Sequence, residues 1–147
     1  MPHAFALNYV HVVFSTRGRR KLIRTEVEEQ LHAYIRGIAR NYKLDLLAIG
    51  GMEDHLLLLL TLPPKLALAD AVRAVKANSS KWMNENGRRF SWQQGYAAFS
   101  VSRSNLESVK EYVRTQKEHH ARYTFEDEIC ALLEKHGIVF NPALHLN

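Results

Sequence analysis

The sequence contains one cysteine, few glycines and prolines, and no long apolar run. Because Cys130 is alone, an internal disulfide is excluded. Seven glycines and four prolines form no low-complexity linker, and 147 residues suit one domain, which we expect to span residues 1–147. The apolar stretch at residues 56–60 is far too short to span a bilayer. The first ten residues lack a basic flank before an apolar run, so we expect no secretory signal and a cytoplasmic location.

Positive charge is in excess. Twenty Lys and Arg residues outnumber fifteen Asp and Glu residues, which gives a net charge of +5 and a pI near 9.5. This balance favours a polyanionic partner such as nucleic acid. Two basic groups, the second followed by an aromatic side chain, supply the candidate DNA contacts: Arg17, Arg19, Arg20, Lys21, Lys76, Lys81, Arg88, Arg89 and Trp92. The alternative is that these side chains are solvated on a loop and a helix face and bind nothing.

The hydrophobic pattern predicts eight helices and strands. Strands are expected at residues 6–16, 44–49, 55–62 and 96–102, and helices at residues 25–41, 66–85, 104–120 and 124–136. The first six elements follow the order β-α-β-β-α-β, which predicts an α+β, ferredoxin-like split βαβ fold. We expect an antiparallel sheet of four to five strands, with helices on one face plus C-terminal helices. Because residues 56–60 are all apolar, the C-terminal helices or a partner subunit should cover the second face.

Three separated motifs carry the functional signal. They are GGMEDHLL at residues 50–57, WQQGYAAFSVS at residues 92–102 and VKEYVRTQKEHH at residues 109–120. In this order and spacing they resemble the single-tyrosine HUH transposases of small bacterial insertion sequences and the related REP-associated tyrosine transposases. The resemblance extends from about residue 4 to residue 145.

The resemblance implies a transposase that cuts and rejoins single-stranded DNA at hairpin-flanked element ends. Tyr112 would be the nucleophile and would form a 5′-phosphotyrosyl intermediate. His55 and Gln116 would hold Mg²⁺ or Mn²⁺ beside the scissile phosphate, and the protein would act as a homodimer. The spacing agrees, because Tyr112 and Gln116 are four residues apart and share one helix face. Taken by spacing alone, Tyr112 is an ordinary packing residue of an amphipathic helix.

Position 57 departs from the family pattern. An HUH strand needs histidines two residues apart, because alternate side chains of a strand point the same way. His55 is the first histidine, but Leu57 stands at the second position, and an isobutyl group cannot ligate a metal. Metal could still bind through His55, Gln116 and DNA oxygens, with reduced activity. Alternatively, the chain is an inactive protein that binds hairpin or single-stranded DNA.

Another side chain could replace the missing ligand. Glu53 has the correct strand parity, His11 could lie on a neighbouring strand, and His120 lies one turn beyond Gln116. For His119 and His120 we prefer a structural role, in which they complement the helix dipole and bond to backbone carbonyls. A more distant functional alternative is a ferredoxin-like RNA-binding domain. That class stacks bases on exposed sheet aromatics, and we identify no such pair on adjacent strands.

Overall fold

The computed structural model describes residues 5–140. Its strands are β1 (Asn8–Ser15), β2 (Asp45–Met52), β3 (His55–Leu62) and β4 (Ala97–Val101). Its helices are α1 (Thr25–Asn41), α2 (Leu68–Glu85), α3 (Leu106–Arg114), α4 (Gln116–His119) and α5 (Phe125–Lys135). Short 3-10 turns at Arg17–Arg19 and Arg103–Asn105 follow β1 and β4. No helix within residues 5–140 is both long enough and apolar enough to cross a membrane.

The four strands form one antiparallel sheet in the order β2-β3-β1-β4. This order, with α1 and α2 as the connections that precede β2 and β4, confirms the predicted ferredoxin-like split βαβ fold. β3 lies in the interior of the sheet between β1 and β2. Its continuous leucine run reflects this position, because every residue of an interior strand covered on two faces is buried.

Strand alternation divides the leucines of β3 between two cores. Leu56, Leu58 and Leu60 pack with the apolar residues of α1 and α2 in one core. Leu57 and Leu59 pack in the other core with Val113 of α3 and Ile129 of α5. The sequence predicted that either the C-terminal helices or a partner subunit would cover the second face of the sheet. In the structure, the C-terminal helices of the same chain cover it.

The helix predicted over residues 104–120 is divided into α3 and α4. Thr115 separates the two helices with φ −101° and ψ 28°, and its Oγ1 donates a hydrogen bond to the carbonyl oxygen of Glu111 at 2.9 Å. A threonine hydroxyl that bonds back to residue i−4 competes with the helical ladder and bends the helix. The prediction of one continuous helix was wrong at this residue, and the break lies between Tyr112 and Gln116.

Candidate active site

His55 begins β3 and is fully buried. Its Nδ1 lies 2.7 Å from the Asp54 carboxylate, and its Nε2 lies 3.0 Å from Oε1 of Gln116. The pKa of Asp54 is lowered: burial acts to raise it, but the hydrogen bond and the electrostatic interaction with His55 outweigh burial. A carboxylate can only accept, so Nδ1 of His55 carries the proton that it donates. The carboxylate thus sets the orientation of the ring and points Nε2 towards Gln116.

Leu57 lies on the same face of β3 as His55, as strand alternation predicts. It is fully buried and packs in the second core with Val13, Leu59 and Val113. The position that would hold a second histidine ligand is therefore occupied by a core side chain beneath α3.

A glycine brings the tyrosine helix close to the sheet. A Cβ atom at Gly50 of β2 would overlap the carbonyl oxygen of Val113 in α3 and would come within 3.6 Å of the Gln116 side chain. Only glycine permits this close approach of two backbones. Gln116 is consequently buried, and its Nε2 donates to the carbonyl oxygen of Tyr112 at 3.3 Å.

Two further side chains complete a buried cluster. His120 Nδ1 lies 2.7 Å from the carbonyl oxygen of Tyr123, while its Nε2 lies 3.1 Å from Gln116 Oε1 and 2.9 Å from Glu128 Oε2. The preferred structural role of His120 was therefore incomplete: one nitrogen bonds a backbone carbonyl, and the other enters the cluster. Glu128 was missed, because an acidic residue in the first turn of α5 looks in sequence like an ordinary dipole partner.

The cluster has the composition of a divalent-metal site. The ligand atoms of His55, His120 and Glu128 all lie within 4.8 Å of one another. Glu128 Oε1 is buried and has no hydrogen-bond partner within residues 5–140. Imidazole, carboxylate and the amide oxygen of Gln116 are all metal donors. These residues therefore fit the divalent ion that the transposase resemblance implies.

The other two suggested replacement ligands lie outside this cluster. Glu53 lies in the β2–β3 turn rather than on a strand, so strand parity does not direct its side chain. His11 is buried beside Tyr112, with ring centroids 6.1 Å apart, and its Nε2 has no hydrogen-bond partner within the described chain. Burial, followed by the charge of His136, lowers the pKa of His11 to about 4. His11 is thus a neutral side chain at pH 7.

Tyr112 lines a pocket of about 590 Å³ that also contains His11, His119 and Glu128. The His119 ring contacts Tyr112 with centroids 4.9 Å apart. Burial raises the pKa of Tyr112 above its ordinary value, and the negative charge of Glu128 raises it further. A phenol in this state is a weak nucleophile, so a cation near Glu128 would assist its ionisation.

The two basic groups of the sequence partly converge. Arg17 and Arg20 of the turn after β1 line a pocket of about 460 Å³ together with Arg89, which we call the arginine pocket. The backbone nitrogen of Arg17 donates to the carbonyl oxygen of Ser91 at 3.0 Å, which joins the two loops. Lys21 is exposed beside them. The pocket follows β1 at the end of the sheet that holds His55, because Ser15 of β1 pairs with His55.

Arg19 and the members of the second basic group other than Arg89, namely Lys76, Lys81 and Arg88, lie outside this pocket. Arg19 forms an ion pair with Glu126 of α5 at 3.0 Å. Lys76 donates to the carbonyl oxygens of Gln93 and Gly95, at 2.6 and 2.8 Å, and so holds the loop before β4. Lys81 is exposed near Glu85, and the Arg88 guanidinium lies 5.8 Å from the ring centre of Trp82. None of these arginines or lysines lines the arginine pocket.

The expectation that Trp92 stacks on a DNA base requires correction. Trp92 is 9% exposed, and its ring packs between Phe14 and Phe90, with centroids 4.7 Å away in each case. Its indole nitrogen donates to Ser79 Oγ at 2.9 Å. The ring packs against aromatic neighbours and its N–H group has a hydrogen-bond acceptor inside the protein, so Trp92 is a core residue.

Comparison with known proteins identifies the family of this chain. The family model described as IS200-like transposase matches residues 4–116. The ISDra2 transposase TnpA of Deinococcus radiodurans is 25% identical over 122 residues, which cover 78% of this chain and 86% of that protein. The transposase for insertion sequence element IS200 of Salmonella typhimurium is 25% identical over 117 residues, which cover 74% of this chain and 76% of that protein.

Solved structures share the fold. A crystal structure assigned as a transposase from Deinococcus radiodurans superposes with a TM-score of 0.62 at 24% identity, covering 75% of this chain and 91% of the other. A REP-associated tyrosine transposase bound to a REP hairpin superposes with a TM-score of 0.58 at 16% identity, covering 76% of this chain and 67% of the other. The family match extends over most of the sequence, including Tyr112 and Gln116, and on that basis the chain belongs to the IS200-like transposase family.

Proposed function

We propose that this chain cuts and rejoins single-stranded DNA at hairpin-flanked element ends, with Tyr112 as the nucleophile. Membership of a transposase family implies DNA transesterase chemistry. The observation that carries the assignment of Tyr112 is its position in one pocket with Glu128, next to a cluster that includes His55 and Gln116.

The proposed step is an exchange of phosphate esters. The Tyr112 hydroxyl oxygen attacks the phosphorus, the new oxygen–phosphorus bond forms, and the bond from phosphorus to the 3′ oxygen breaks. The phenolic proton passes to water in the pocket, and the 3′ oxygen takes up a proton to become a free hydroxyl. The 5′-phosphotyrosyl link retains the phosphate ester, so rejoining by another 3′ hydroxyl requires no external energy source.

A divalent ion, Mg²⁺ or Mn²⁺, belongs to this proposal, with His55 and Gln116 as its predicted ligands. When bound, such an ion polarises the phosphate and offsets the charge that develops during attack. Asp54 orients His55 through their 2.7 Å contact, and Gln116 is anchored by its hydrogen bond to the Tyr112 backbone. The hydrogen bond between Gln116 and the Tyr112 backbone holds the Gln116 amide next to the helical turn that carries the nucleophile.

DNA binding is proposed to use the arginine pocket. Arg17, Arg20 and Arg89 place three cations at the His55 end of the sheet, where they suit the phosphates of a strand that enters the active site. The structural relative bound to a REP hairpin supports a hairpin substrate for this chain. A homodimer remains part of the proposal from the family resemblance.

The alternative function is binding of hairpin DNA without cleavage. The observation that favours it is the complete burial of Leu57 against Val113, which leaves no room for a ligand at that position without repacking the core. An RNA partner is less favoured, because helices cover both sheet faces. Phe14 and Phe99 are buried in the two cores, which leaves Tyr9 as the one part-exposed strand aromatic within residues 5–140, rather than a pair on adjacent strands.

Covalent trapping separates these functions. Purified protein is incubated with hairpin DNA, its single-stranded flank and Mn²⁺ or Mg²⁺, and is then run on a denaturing gel. We expect an adduct with the wild type and with Tyr42→Phe, an exposed control tyrosine, and none with Tyr112→Phe. An adduct found only in Leu57→His would establish a DNA-binding protein that has lost cleavage. Absence of both an adduct and hairpin binding would overturn the proposed function and its alternative together.

A further inference from the structure

The two histidines of the cluster are oriented in the same way. Nδ1 of His55 faces the Asp54 carboxylate, and Nδ1 of His120 faces the carbonyl oxygen of Tyr123, each at 2.7 Å. Both partners can only accept hydrogen bonds, so each Nδ1 carries a proton. In a neutral imidazole the lone pair then lies on Nε2. A proton donated from Nδ1 to an oxygen, with a bare Nε2, is the arrangement typical of metal-ligating histidines.

The atoms that these Nε2 lone pairs face are also acceptors. Gln116 Oε1 lies 3.0 Å from His55 Nε2 and 3.1 Å from His120 Nε2. Glu128 Oε1 lies 3.7 Å from His55 Nε2, and Glu128 Oε2 lies 2.9 Å from His120 Nε2. With neutral imidazoles, no proton lies between any of these atoms. Buried acceptors that face one another are unfavourable without a cation or added protons.

We infer that His120 and Glu128 are metal ligands together with His55 and Gln116, and that they replace the ligand missing at position 57. The role of the ion in cleavage rests on the proposed function, whereas its binding does not. The replacement ligands lie on elements that only the tertiary fold brings to β3, namely the residue after α4 and the first turn of α5.

The donor set selects a class of metal. Two imidazoles, a carboxylate and an amide oxygen suit Mn²⁺ and later transition ions, whereas Mg²⁺ prefers oxygen ligands and retains several waters. The apolar Leu57 beside His55 further disfavours a hydrated ion.

The test measures metal binding by the full chain without DNA. Free Mn²⁺ is followed by electron paramagnetic resonance during titration of the wild type, His120→Ala and Glu128→Gln. We expect each substitution to weaken Mn²⁺ binding by at least about tenfold. The matched controls are His119→Ala, the adjacent histidine, and Glu126→Gln, the nearby carboxylate paired with Arg19. Both controls should stay within about twofold of the wild type, and Mg²⁺ should displace Mn²⁺ only in large excess.

Circular dichroism identifies any variant that fails to fold, and the melting temperature gives a second readout. Mn²⁺ should raise the melting temperature of the wild type and of the controls, but not that of the two ligand variants. If the wild type binds no Mn²⁺, or if the folded ligand variants bind it equally well, the inference is overturned and protons satisfy the cluster instead. Mn²⁺ binding through these residues without a DNA adduct would overturn the proposed function alone. An adduct in the wild type with unaltered Mn²⁺ affinity in both ligand variants would overturn this inference alone.

Discussion

Substitution of Gly50 by alanine tests whether the close approach of α3 to β2 positions the active site. The added Cβ would overlap the carbonyl oxygen of Val113, which is backbone and cannot rotate away. It would also come within 3.6 Å of Gln116 Cγ. The strand is held by β3 on its paired side, so the relief must come from movement of α3 and α4 away from the sheet. That movement displaces Tyr112 and Gln116 together.

The expected cost follows from overpacking of a well-packed interior. Insertion of one methyl group into such a site costs about 1–3 kcal/mol, and we expect the upper part of this range because the obstructing atom is backbone. For a chain of this size, about 3 kcal/mol corresponds to a loss of roughly 6–12 °C in melting temperature. Misplacement of the nucleophile by an ångström would lower the rate of adduct formation about a hundredfold.

Gly37→Ala is the matched control. Gly37 lies inside α1, and a Cβ atom there meets nothing within 4 Å. Replacement of a helical glycine by alanine should stabilise the protein by about 0.5–1 kcal/mol and leave adduct formation unchanged. Urea unfolding followed by circular dichroism, with the trapping assay in parallel, measures both effects. If the free energy of unfolding of Gly50→Ala lies within about 0.5 kcal/mol of the wild-type value and the variant forms adduct at the normal rate, the positioning argument is refuted.

Three further predictions concern the core, the arginine pocket and a buried histidine. Trp92→Ala should destabilise the fold by about 3–5 kcal/mol in urea unfolding, because the ring is buried; a loss of DNA affinity without a loss of stability would restore its role in stacking. Arg17→Ala and Arg89→Ala should each reduce the slope of log affinity against log salt by about 0.7 for single-stranded DNA, whereas Arg73→Ala on the exposed face of α2 should not. The pKa of His11 is lowered to about 4, so the unfolded chain takes up this proton below pH 6.5 while the folded chain does not. Stability should therefore fall by roughly 3 kcal/mol as pH decreases from 6.5 to 4, and His11→Gln should flatten this part of the profile; an unchanged slope would refute the assignment.

Element order was well predicted because its signals are local. Alternating and continuous apolar runs identify strands, and helical spacing identifies helices, without knowledge of distant contacts. The same local logic correctly placed His55 and Leu57 on one face of β3. It failed at Thr115, where the backbone leaves helical geometry although the hydrophobic spacing continues.

The sequence by itself determined the βαββαβ order, the family, and the absence of a histidine at position 57. Only the tertiary structure decided that Trp92 is core, that Arg17 and Arg89 share a pocket, and that His120 and Glu128 meet His55. The physical reason is that backbone periodicity is set by neighbouring residues, whereas convergence of side chains 65 and 73 positions from His55 depends on how α4 and α5 pack on the sheet. That packing depends on contacts such as the approach of α3 to Gly50, which no local pattern encodes.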